Sequence, residues 1–143
     1  MNQPSKAQRE FASSLLVREQ LGESVEERAA AAVRVYERLT LCLSPLVGAT
    51  GVRALFARSI VLTTAEFPFF AGTNFERPEA ALSSLHASLR GQQPDAVLHG
   101  AAALFGALLA LLETYVGERL TAQVLRSAWP DLDDETPPKE AKR

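Results

Sequence analysis

The sequence predicts an all-α, single-domain bundle of five or six helices around a central apolar helix at about residues 95–116. Three observations lead there. Residues 96–112, A-V-L-H-G-A-A-A-L-F-G-A-L-L-A-L-L, contain no charged side chain. A helix that is apolar all round must be buried all round. No segment sustains the period-two alternation of a half-buried strand. Helix-start signals, with Ser5 three residues before Gln8 and Ser24 three before Glu27, precede apolar runs at helical spacing.

The first helix starts at the Ser5–Gln8 capping box and should reach about Leu21, with Gly22 ending it. Phe11 and Leu15 mark its inner face, with Ala7 and Arg18 beside them. The second starts at Ser24, with acids in its first turn to complement the helix dipole. Val25, Ala29, Ala32, Tyr36, Leu39 and Leu43 form its stripe, while Glu26, Glu27, Arg34, Glu37 and Arg38 face solvent. Pro45 should kink or end it, because proline disfavours a helical residue before it. V-G-A-T-G, residues 47–51, reads as a turn with Thr50 as the next cap. The third helix carries Val52, Leu55, Phe56, Ser59, Ile60 and Thr63 on one side and ends near Glu66.

Residues 67–78 form the longest expected loop and hold Phe67, Phe69, Phe70 and Phe75, four of the seven phenylalanines. Four rings in water would be a costly patch, so the loop either folds them over the core or presents them to a partner. Folding back is the expected outcome. Pro78 suits the first turn of the next helix, whose inner face is Leu82, Leu85, His86 and Leu89. Pro94 and Asp95 open the central helix, which runs to about Tyr115. Gly117 breaks or bends it. A last helix anchored by Leu120, Val124 and Leu125 follows, with Trp129 covering its end. Residues 1–130 make the bundle, and residues 131–143, with Pro137 and Pro138, read as a disordered charged tail.

One internal echo stands out. Val47-Gly48 precedes L-F-A-R-S, and Val116-Gly117 precedes V-L-R-S-A. A duplicated helix–turn–helix unit would leave this trace, but two matches this short carry no argument alone.

Charge limits the function classes. Residues 1–129 hold twelve basic and twelve acidic side chains, and the net charge of −2 comes from the last fourteen residues. A balanced body gathers neither nucleic acid nor anionic lipid. It also repels other copies of itself weakly. The lone Cys42 lies among apolar residues and reads as a buried, inert thiol. The N-terminus has no apolar signal segment, so the expected location is the cytoplasm. The apolar run is shorter than the ~20 residues of a membrane span, and Asp95 and Glu113 flank it, so a core helix is expected.

No catalytic constellation is legible. His86 and His99 fall on different helices without a second ligand type at i+3 or i+4, so no metal or cofactor is expected. A partly buried structural role is expected for His99. Glu113 lies ~21 Å along the helix from His99, too far for an acid–base pair. The lone thiol has no basic neighbour, no G-x-S-x-G elbow is present, and the paired acids Glu26–Glu27 sit at a helix start. Arg53 and Arg58 suggest a DNA-binding helix-turn-helix, yet five residues on a helix separate them by roughly 140°.

One feature reads positively. Ala103, Gly106 and Ala110, beside Gly100 and Ala107, strip bulk from one flank of the central helix, so another backbone can approach closely. Its partner is a helix of the same chain or of a second copy; a third reading is a pocket for an apolar ligand under the aromatic loop. The leading functional expectation is therefore a non-enzymatic, self-associating, regulatory or adaptor-like interaction module. The alternatives are a protein binding an apolar small molecule near Gly106, and a DNA-binding regulator using Arg53.

Overall fold

Ser5 and Ser24 each begin a helix by the same device. Each hydroxyl accepts from the backbone N–H three residues on, at 3.0 Å, and the Gln8 or Glu27 side chain accepts in return from the serine N–H. These reciprocal bonds satisfy donors that a helix start otherwise leaves free. The computed structural model describes residues 4–75 and 77–130; the expected tail lies outside them. Five α-helices follow in order: α1 (Lys6–Arg18), α2 (Val25–Thr64), α3 (Pro78–Arg90), α4 (Pro94–Val116) and α5 (Glu118–Ala128). A 3-10 turn, Pro68–Gly72, links α2 to α3. The described residues contain no strand, and the chain is an all-α bundle.

The central helix is α4. Every residue from Gly100 to Leu109 is buried, and Leu104, Phe105 and Leu108 are wholly enclosed. Each such large side chain contributes about 1.5–3 kcal/mol by leaving water. The enclosure fails in the last turn, where Tyr115 emerges 68% exposed although it continues the buried stripe. At the other end His99 is exposed rather than partly buried. It shares with Asp95, its i−4 neighbour, a face that no helix covers.

Several boundaries differ from expectation for local reasons. Helix α1 stops at Arg18, not Leu21, because Gln20 takes a left-handed turn at φ 63°. Gln8, not Ala7, joins its inner face. Pro45 neither ends nor breaks α2. Its missing N–H would have bonded the Leu41 carbonyl, and both residues are exposed, so water can serve that carbonyl. The break falls instead at Gly48, whose φ of 82° and ψ of 161° no other residue type adopts cheaply. It divides α2 into arms 25–47 and 49–64. The Thr50 hydroxyl, expected as a cap, accepts from Arg53 at 3.4 Å.

The two halves of the chain repeat one another. Gly117 has φ 90° and ψ 164°, nearly the angles of Gly48, 69 residues earlier. Helix α4 has 23 residues before its glycine, as does the arm 25–47. Helices α1 and α3, which precede them, have 13 residues each. The same offset matches the buried positions: Val35 with Leu104, Tyr36 with Phe105, Leu39 with Leu108, Leu43 with Leu112. Beyond the glycines, Leu55 matches Val124, Phe56 matches Leu125 and Ser59 matches Ala128. The short helices exchange partners. Helix α1 packs mainly on α4, α3 packs on α2, and α2 packs on α4 between them.

Candidate docking groove at the kink of α2

Two helices, α2 and α4, are long and apolar enough to cross a membrane by length and composition. They differ in how the fold uses that apolar character. In α4, 72% of the apolar window is buried; in α2, only 28% is. Between Arg38 and Arg53 no side chain is charged, so the outward part of this stretch is an apolar surface.

The surface follows from helical geometry. Leu39 and Leu43 are one turn apart and buried. Leu41 lies about 200° from each and points outward, with 74% exposure. Leu46, one turn beyond the neighbouring Cys42, is 38% exposed. The kink at Gly48 then brings Ala49, Val52 and Arg53 back beside the first arm. With Tyr36, Leu41 and Leu82 of α3 they line an open apolar groove of ≈ 560 Å³. Across the kink a second groove of ≈ 300 Å³ lies between Val47, Leu55, Arg58, Leu112 and Tyr115.

Tyr36 forms the floor of the larger groove. The residue is 8% exposed, and its ring packs edge-on to Phe56 at 4.6 Å and stacks on Phe75 at 5.1 Å. Phe56 also meets Phe105, the counterpart of Tyr36 in the second half, at 6.5 Å. These contacts hold the floor rigid. Burial pushes the Tyr36 phenol above its usual titration range, while Thr40 and the Arg53 guanidinium pull the other way. Glu37 and Arg53 stand on the rim with opposite charges.

The residues singled out from the sequence go elsewhere. A Cβ at Gly106 would lie 3.1 Å from Pro4 Cβ and 3.4 Å from Arg9 Cα, so the small flank seats α1 of the same chain. Gln8 Nε2 donates to Glu113 Oε1 at 3.0 Å on the same side. Ala103 and Ala107 are buried and Ala110 is half-buried. Gly100 faces another neighbour, for a Cβ there would meet Phe69 Cζ at 2.7 Å and Phe70 Cε2 at 3.3 Å. The aromatic loop is thus folded back: Phe70 and Phe75 are buried, Phe67 and Phe69 half-buried. It covers Gly100 rather than Gly106. Six residues turn a helix by about 240°, so the two glycines serve different faces, and no lid stands over a pocket at Gly106.

Arg53 and Arg58 line different grooves, so they form no single basic face. Cys42 and His86 are half-buried. Among the described residues no three His, Cys, Asp or Glu side chains are placed to hold a metal. Sequence reasoning missed Leu41 and the exposure of Tyr115, and it placed Leu82 on the inner face of its helix, whereas the structure leaves Leu82 37% exposed on the groove rim. The signal for Leu41 was available: it is a leucine on the polar side of an amphipathic helix, between two core leucines.

No family model matches this chain, and no curated protein or solved structure matches it either.

Proposed function

We propose that this chain is a non-enzymatic, adaptor-like interaction module that docks another polypeptide at the groove beside the kink of α2. The observation that carries this reading is Leu41, 74% exposed at the edge of a ≈ 560 Å³ apolar groove with a rigid aromatic floor. A lone exposed leucine would carry no such meaning, but Leu41 is continuous with the apolar trough beside it, and contiguous apolar patches mark interaction surfaces. The groove is open along one side, which suits a helix or an extended segment. A small molecule would normally be more enclosed.

The test places a photocrosslinking amino acid at Ala49, an exposed residue of the groove wall, in cells. The expected result is a discrete adduct with a polypeptide, lost when Leu41→Asp is added. An adduct pattern indifferent to Leu41→Asp reflects random collision and defeats the reading, as does an absence of adducts.

A further inference from the structure

The repeat gives this groove an internal control. The counterparts of Glu37, Leu41 and Ser44 in the second half are Gly106, Ala110 and Glu113. There the surface is closed: Gly106 seats Pro4 and Arg9, and Glu113 accepts from Gln8. The first turn of α1 therefore covers in one half what remains open in the other. Helix α3 stands where α1 would, but its Leu82 stays 37% exposed on the rim. Small residues admit a helix on α4; Glu37 and Leu41 hold one off on α2. The open groove is thus the place where two otherwise matching halves diverge.

What covers it is read from its charges and shape. Glu37 has no ion-pair partner among the described residues, and the Arg53 guanidinium reaches only the Thr50 hydroxyl, at 3.4 Å. One acid and one base on the same rim complement a second copy of themselves. A twofold axis would set each Glu37 against the other Arg53, since in such an interface residue i meets j and j meets i. The apolar parts are complementary in the same way. A ridge, Leu41, lies beside a trough floored by Tyr36 and walled by Val52 and Leu82. Equal numbers of acidic and basic side chains over residues 1–129 leave little repulsion between copies.

We infer that the occupant is a second copy of this chain, paired about a twofold axis, with Leu41 of each copy seated in the trough of the other and Glu37 facing Arg53 across the axis. This rests on the docking reading above and names its partner. Both grooves are then filled at once, and the pair closes without an edge that could add a third copy.

The test uses the purified full chain in analytical ultracentrifugation and light scattering over a range of concentrations. The expected mass at high concentration is twice 15.5 kDa. Leu41→Asp should weaken pairing at least tenfold with helicity unchanged, because its side chain is mostly in water. Glu37→Arg and Arg53→Glu should each weaken it, and the double reversal should restore it. That rescue does not depend on Leu41→Asp folding well. A mass of one chain at every concentration overturns the inference. If the crosslinker at Ala49 still captures a different protein, the docking reading survives alone. Dimers indifferent to both Leu41→Asp and the charge reversals overturn the assignment of the surface. A monomer that sediments with lipid vesicles, and loses this with Leu41→Asp, overturns it in favour of a membrane surface.

Discussion

Gly48 and Gly117 hold nearly the same backbone, φ 82° and ψ 161° against φ 90° and ψ 164°, at matching turns of two repeated units. Each ends a 23-residue helical stretch and starts another helix at once. A Cβ at either would touch nothing within 4 Å, so space is not the reason for glycine. The dihedral region is, since side chains make it costly. Gly48→Ala and Gly117→Ala should each destabilise the fold by about 1–3 kcal/mol in urea titrations. Gly91→Ala, also in open space but at φ −84°, is the control and should stay within about 0.5 kcal/mol. Equal small effects at all three positions would remove strain as the reason for these glycines.

Gly106 reports on a different constraint. The backbone of Arg9 and the ring of Pro4 lie against it. Gly106→Leu must push α1 away, because neither contact is the tip of a flexible side chain. Overpacking of this kind costs about 1–3 kcal/mol or more. Gly100→Ala meets the end of the Phe69 ring instead, and that half-buried ring can turn aside. The expected order of thermal stability is wild type, then Gly100→Ala, then Gly106→Leu well below. Proteolysis near residue 9 should speed up in Gly106→Leu only. Equal stability of Gly106→Leu and wild type would mean α1 is not seated as described.

The fold was legible because burial leaves a periodic trace. Leu39, Leu43, Val52, Phe56 and Ile60 sit at helical spacing and are buried as expected. The capping serines announced two helix starts directly. The small flank of α4 was also legible as a close approach, but not with whom. Glycine and alanine record that a backbone is near without recording which one. The docking groove was hidden for a related reason. Leu41 reads as one more leucine in L-T-L-C-L until the break is placed. Its position depends on Gly48, not Pro45, being that break, and the choice rests on solvent access to one carbonyl. The repeat was visible as two short echoes; its proof lies in matching dihedrals and burial, which composition does not reveal.

Arg9 and Glu66 tie the start of α1 to the end of α2, Nη2 to Oε1 at 2.7 Å. The guanidinium's hydrogen bond holds the Glu66 carboxyl below its usual range. A lowered carboxylate pKa in the folded state gives stability that is present above the ordinary glutamate pKa and lost as pH falls through the folded value. Both side chains are well exposed, at 30% and 52%, so screening keeps the coupling small. A double-mutant cycle of Arg9→Ala and Glu66→Ala should give about 0.2–1 kcal/mol at neutral pH and low salt. The coupling should vanish in acid and shrink in 1 M salt. A coupling that persists unprotonated-to-protonated would mean the contact is packing, not charge.

Glu19 draws the far ends of the described chain together. Its carboxylate is 6% exposed as a residue and accepts from Trp129 Nε1 at 2.8 Å and from Arg38. Arg38 also donates to the Ala128 carbonyl at 3.0 Å and lies 5.8 Å from the indole centre. Arg34 donates to the Glu19 carbonyl. One buried acid therefore fastens the end of α1 to α2 and to the residue after α5. Removing the carboxylate leaves the indole N–H and the Arg38 Nε–H without their acceptor, which costs about 1–3 kcal/mol, while Arg34 keeps the Glu19 main-chain carbonyl. Glu19→Ala should do that, while Glu19→Gln, which keeps a carbonyl oxygen, should lose less. Trp129 is the sole tryptophan and is 4% exposed, so its fluorescence reads this site alone. Emission should shift to the red and become more easily quenched in Glu19→Ala, ahead of any loss of helicity. Unchanged emission in a variant of reduced stability would show that Trp129 is held by packing and that Glu19 acts elsewhere.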